Sequence, residues 1–128
     1  MILKLKKGIP ILITIVITLL LGFVFVAFML RPQKLDIKNI DFNTVADGEY
    51  IGICQNKILF AVVQVKVKNH EIVNIEILEH KASYMEQAKQ IADNVCSKQS
   101  LEVDAISGAT LTSDTVLKAI ENALEESQ

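Results

Sequence analysis

The sequence has no tryptophan, only 5% aromatic residues and two histidines that stand far apart. No Cys-x-x-Cys pair occurs, so neither the spacing of a structural zinc site nor that of a dithiol redox centre is present. No glycine-rich dinucleotide fingerprint occurs either, so a hydride donor of that class has no seat here. The formal net charge is -2, and no basic stripe runs along the chain. Nucleic-acid binding therefore has no electrostatic support. Internal repeats and low-complexity tracts are also missing. With 128 residues, the chain has room for one domain.

What the sequence does have is one long apolar run. From Ile9 to Leu30 it is interrupted only by Pro10, Thr14, Thr18 and Gly22. About 22 helical residues cross a hydrocarbon core of roughly 30 Å at about 1.5 Å per residue. The run is too long for the core of a cleaved signal peptide, and its end, Phe28-Met29-Leu30-Arg31, lacks a small-x-small cleavage site. No cysteine follows that could take a lipid. An uncleaved signal anchor is expected over residues 9–30, with Pro10 in the first turn. Cations tie across the span, Lys4, Lys6 and Lys7 against Arg31, Lys34 and Lys38. The tight first cluster and the free amine put residues 1–8 in the cytoplasm and the remainder outside.

Residues 31–44 read as a juxtamembrane tether or edge strand, begun by Pro32. Residues 45–128 read as the globular domain. Asp47-Gly48 signals a turn, Glu49 to Gln55 a strand, and Asn56-Lys57 a tight turn. Leu59, Ala61, Val63, Val65 and Val67 then alternate with Gln64, Lys66 and Lys68, the period of a strand with one wet face. After Asn69-His70, Glu71 to Leu78 forms a third strand of an antiparallel meander. The period next becomes helical. Met85, Ala88, Ile91, Ala92 and Val95 share a face, with Glu86, Lys89, Gln90 and Asp93 outside and Ser83 as N-cap. A last helix is expected from Ser113 to Glu125, capped by Thr112 or Ser113, with Asp114 facing its positive end and Val116, Leu117, Ile120 and Leu124 on its apolar face. Strands first and helices after define an α+β fold, with a small antiparallel sheet and two helices.

Chemistry concentrates in Asp104-Ala105-Ile106-Ser107-Gly108-Ala109-Thr110-Leu111-Thr112-Ser113. Hydroxyls surround two small residues just before a helix, a place where a phosphate can be bound by helix amides or joined to a hydroxyl. The bland alternative is a glycine turn with a hydroxyl cap. Cys54 and Cys96 read as free thiols, although an external domain permits a disulfide.

From Asp47-Gly48-Glu49-Tyr50-Ile51-Gly52 to Leu124, the sequence resembles the FMN-binding domain of the flavin-carrying subunits of sodium-translocating NADH:quinone reductases and Rnf-type complexes. Small membrane-tethered bacterial proteins contain it too. The landmarks are that opening motif, the Val-x-Val strand, His80 after the third strand, Gln99-Ser100, and the run from Asp104 to Ser113. The resemblance implies FMN held as a phosphoester on a threonine, installed from FAD by a separate flavin transferase using magnesium. The matching acceptor is Thr110. Asp104, Ser107, Gly108, Ala109, Thr112 and Ser113 are implied as recognition and positioning residues, and His80 as a flavin contact or a surface histidine. The chain departs from the pattern after His80. Lys81-Ala82-Ser83-Tyr84 stands where the large subunits have an acidic residue, then Thr, Pro and Gly.

The expectation is an extracytoplasmic, membrane-anchored electron carrier with covalent FMN and no catalytic residues or metal ligands of its own. A membrane dehydrogenase or a quinone would be the electron donor. The rivals are a reversible FMN-binding module, as a sensor or scavenger, and a flavin-free membrane interaction domain.

Overall fold

The computed structural model describes residues 2–126, with side chains from residue 7 onward. The basic cluster's Lys4 and Lys6 side chains lie outside the described set. The chain divides into two compact units, one ending at Arg31 and the other beginning at Pro32.

The first unit is helix α1, Ile2–Met29. It begins earlier than the apolar run suggests, because its basic first residues continue the same helix. Pro10 consequently lies inside the helix and not in its first turn. The segment Lys7–Met29 is long and apolar enough to cross a membrane, and none of it is buried by protein. Its polar side chains bond within the helix: Thr14 Oγ1 donates to the Pro10 carbonyl at 2.8 Å and Thr18 Oγ1 to that of Thr14 at 2.9 Å. A hydrocarbon environment demands such internal pairing.

The second unit is an α+β domain. Strands β1 (Gly48–Asn56), β2 (Leu59–Lys68) and β3 (Glu71–Glu79) form an antiparallel sheet in the order β1-β2-β3. β1 and β2 pair without interruption from Gly48↔Val67 to Asn56↔Leu59. Two-residue turns join the strands. The first is Lys57–Ile58, one residue later than the sequence suggests, with Lys57 at φ 60°; the second is Asn69–His70, at φ 55° and 64°. The second turn, with positive φ at both central residues, is the kind that matches strand twist. Alternation puts Ala61, Val63, Val65 and Val67 on the core face, with Ile72, Ile75 and Ile77 from β3.

Two helices cover that face. Helix α2, Met85–Lys98, buries Ala88, Ile91, Ala92 and Val95. A single 3-10 turn at Ala82–Tyr84 leads into it, and Tyr84 occupies the N-cap, so Ser83 does not cap the helix. Gln99 closes α2 in the left-handed region at φ 53°. Its amide nitrogen donates to the carbonyls of Ile72 and Cys96, and its oxygen accepts from Ile72 N at 2.8 Å. One side chain thus satisfies the helix end and the outer edge of β3.

Helix α3, Thr110–Glu126, packs over β1 and β2. Gly52 sets how closely. A Cβ there would lie 1.8 Å from the Ala119 carbonyl oxygen and 2.7 Å from Ala123 N, so only glycine admits the helix at this distance. The other glycine-rich landmark residues are also structural. Asp47 Oδ1 accepts from Asn69 N at 2.8 Å, and Tyr50 OH donates to the Ala46 carbonyl at 2.6 Å.

The stretch read as a tether is an extended strap of the domain itself. Its backbone amides at Leu35 and Lys38 donate to Asp114 Oδ2 at 3.2 Å and Glu121 Oε1 at 2.6 Å. Asp114 and Glu121 are two helical turns apart, about 10.5 Å of rise. Three extended residues cover about 10 Å, so the two spacings coincide. Asn39 Oδ1 then accepts from Leu101 N, and Ile40 enters the core. With the sheet on one side and the strap on another, α3 is buried nearly all round. Asp114 is a strap anchor, beyond its expected place near the positive helix end. Glu121, 1% exposed, also pairs with Lys118, whose pKa it raises.

Candidate functional site

The approach to α3 is built by a turn and a staple. Ile106 to Ala109 closes a β-turn, with Ala109 N donating to the Ile106 carbonyl at 2.9 Å. Gly108, third in that turn, has φ 78°, the left-handed value that type II turns require. Nothing lies within 4 Å of where its Cβ would be, so the backbone there faces open space. Ser113 fixes the turn onto the helix. Its Oγ accepts from Ile106 N at 2.9 Å and donates to the Ala109 carbonyl at 2.7 Å. Ser113 is fully buried and sits inside α3, not at its cap. Because this staple makes the turn lead directly into the helix, α3 begins at Thr110, three residues earlier than expected.

Thr110 is the first helical residue and is exposed. The first helical hydrogen bond runs from Ser113 N to the Ala109 carbonyl. The amides of Thr110, Leu111 and Thr112 precede that bond and belong to the positive end of a 17-residue helix. A phosphate joined to Thr110 Oγ1 would lie against that end.

Thr112, one helical step inward, is 3% exposed and has a different role. His80 Nδ1 lies 2.9 Å from the Phe60 carbonyl and Nε2 lies 3.3 Å from Thr112 Oγ1. A carbonyl only accepts, so Nδ1 holds the proton, and Nε2 accepts from the Thr112 hydroxyl. Burial lowers the His80 pKa below its ordinary value, against the opposing pull of the Phe60 carbonyl. A neutral imidazole thus ties the end of β3 to the first turn of α3. His80 is half-buried, and its two ring nitrogens are engaged by protein.

Thr110 opens onto a cleft of about 590 Å³ lined by Pro32, Ile58, Leu59, Lys81, Tyr84, Gly108, Ala109, Thr110, Leu111 and Thr112. That volume lies within the usual range for a small-molecule site. One wall is the 108–112 run. The β1–β2 turn adds apolar Ile58 and Leu59, and Tyr84 adds a ring. Lys81 Nζ stands 5.7 Å from the centre of that ring. Of the residues singled out from the sequence, Gly108, Ala109, Thr110 and Thr112 line the cleft. Ser107 is exposed on the turn, Asp104 is exposed on the connection before it, and Ser113 supports from within. His80 lines a neighbouring depression with Phe60, Leu78 and Met85.

Sequence reasoning missed Ile58, Leu59, Pro32 and Leu111 as walls. Lys81 and Tyr84 entered it only as a departure from the family pattern. The departure at Lys81-Ala82-Ser83-Tyr84 was the available signal, since it falls where the large subunits differ. Cys54 and Cys96 are free, and burial raises both thiol pKa values. His70 sits in the β2–β3 turn, with Nδ1 3.2 Å from the Val45 carbonyl.

A family model described as FMN-binding domain matches residues 59–125, half of the chain, from β2 to the last turn of α3. No curated protein matches the chain.

Proposed function

Because the chain belongs to the family of FMN-binding domains, we propose that it holds FMN covalently on Thr110 and serves as a membrane-anchored, extracytoplasmic electron carrier. The observation that supports this reading most is the position of Thr110. It is an exposed hydroxyl at the start of a long helix, reached past an open Gly108 and facing an apolar cleft with a tyrosine in its wall.

The residues present suit the group. A flavin phosphate needs donors and positive potential, which the first amides of α3 and Lys81 offer. A planar ring system needs apolar walls and an aromatic neighbour, which Ile58, Leu59, Leu111 and Tyr84 offer. Bound FMN supplies the one- and two-electron chemistry, and the protein supplies binding, orientation and electrostatics.

Thr110 is a weak nucleophile without a base, and His80 is committed to Phe60 and Thr112. The base and magnesium are therefore assigned to a flavin transferase acting on FAD. Attachment replaces the Thr110 hydroxyl proton with the flavin phosphate, breaks the diphosphate bond of FAD and releases AMP. Asp104 and Ser107, exposed ahead of the turn, are the side chains such an enzyme meets first. The electron donor is a membrane dehydrogenase or a quinone, within reach because the anchor keeps the domain near the bilayer.

Denaturing electrophoresis of chain produced together with a transferase tests the linkage. Flavin fluorescence that migrates with the unfolded chain supports the ester. Fluorescence lost to the solvent front means reversible binding, and a chain without flavin means an interaction domain.

A further inference from the structure

The candidate membrane span ends at Met29, and Pro32 already lines the cleft. Three residues of chain cover about 10 Å at most, however the two units are arranged. The next residue, Gln33, is clamped to the β1–β2 hairpin. Its amide donates to Asn56 Oδ1 at 3.0 Å, and its carbonyl accepts from Asn56 Nδ2 at 2.5 Å. Asn56 is 5% exposed and is the last residue of β1. Immediately after it, Lys57 and Ile58 form the hairpin turn. Gln33, clamped to the hairpin, is therefore only four residues of chain from the end of the span.

The two ends of the hairpin differ in character. Ile58 is 68% exposed, the most exposed large apolar side chain of the described domain. Leu78, 40% exposed, lines the same depression as Ile58. Within the domain, Lys34, Lys57 and Lys81 are exposed cations of the strap start, the turn and the cleft rim, and Asp36 and Glu79 are exposed acids of the strap and the end of β3. The far turn, Asn69–His70, is polar and lies the length of ten-residue β2 away, about 33 Å.

We propose that the Lys57–Ile58 turn rests in the headgroup layer of the bilayer that holds α1, with Ile58 in the acyl boundary and the surrounding cations on anionic lipid. The mouth of the Thr110 cleft then opens along the lipid surface. An exposed isoleucine that follows Lys57 and shares a depression with Lys81 suits that interface and gains nothing in water. The inference rests on α1 spanning a membrane.

The absence of tryptophan makes the test direct. Ile58→Trp and, at the far end of β2, Lys68→Trp each introduce a single reporter into the full chain. Both chains are placed in phosphatidylcholine–phosphatidylglycerol vesicles, with and without lipid brominated near the carboxyl end of the acyl chain. The Ile58→Trp emission is expected to shift to the blue and to lose intensity with brominated lipid, more so as phosphatidylglycerol increases. The Lys68→Trp emission is expected to do neither. Equal, unquenched emission from both, in chains that float with vesicles after an alkaline wash, overturns the inference and leaves the anchor standing. A chain that does not float overturns the anchor, and the inference with it. If Ile58→Trp does not fold, Leu78→Trp provides the same readout from the same end.

Discussion

Replacing Gly52 with alanine tests the packing that positions the site. The new methyl carbon would meet the Ala119 carbonyl oxygen at 1.8 Å, where ordinary contact begins at 3.4 Å. Helix α3 would have to withdraw from β1 by the difference, about 1.6 Å. The obstructing atoms are mainly backbone, so no rotamer change relieves them. Overpacking of this kind costs about 1–3 kcal/mol, and occasionally more. Domains of this size hold only ~5–15 kcal/mol in total. At ~4–8 °C per kcal/mol, the midpoint of thermal unfolding should fall by roughly 4–24 °C. Circular dichroism of the full chain in detergent reads the transition of the domain above the constant signal of α1. Gly22→Ala, in open space on α1, is the control and should leave the midpoint unchanged. Adding Ala123→Gly should not restore stability, because the nearest obstruction is the Ala119 carbonyl. A Gly52→Ala melting curve superimposable on the wild type would refute the argument.

Glu121→Gln removes the charge that accepts from Lys38 N and pairs with Lys118. Gln keeps an acceptor, so the charge-assisted bond becomes a neutral one, which at a site 1% exposed should cost about 1 kcal/mol in urea denaturation. Proteolysis near Lys38 should rise with it as the strap loosens, and unchanged cleavage would count against the strap's attachment to α3. His80 gives a pH dependence of known sign. Its folded pKa lies below its unfolded value, so the unfolded chain binds more protons. The His80 contribution is complete above an unfolded pKa of about 6.5 and is lost as pH falls through the lower folded value. Thermal midpoints measured across that range should decline on the acid side in the wild type and flatten in His80→Gln; parallel profiles would sink the assignment.

Periodicity made the sheet and α2 legible, because Ala61, Val63, Val65 and Val67 face one core and Ile91 and Val95 another side of it. Thr110 was legible through motif order, and the structure sets it in a setting that suits that reading. The strap was not legible. Asp114 and Glu121 look like the wet face of an amphipathic helix, and only the segment 79 residues before Asp114, docked on it, buries them. The start of α3 was misjudged because Ser113 resembles a cap, whereas its hydroxyl turns back to hold Ile106. The cleft walls escaped notice for a topological reason. Pro32, Ile58, Tyr84 and Leu111 come from four separate segments, and no local pattern links them.

Peptide mapping by mass spectrometry, on chain co-produced with a flavin transferase, reaches the core of the account. A single FMN-sized addition should fall on Thr110, persist in Thr110→Ser and vanish in Thr110→Ala while that variant keeps its thermal midpoint. An unmodified peptide spanning residues 104–118, or an addition that survives Thr110→Ala, would contradict it.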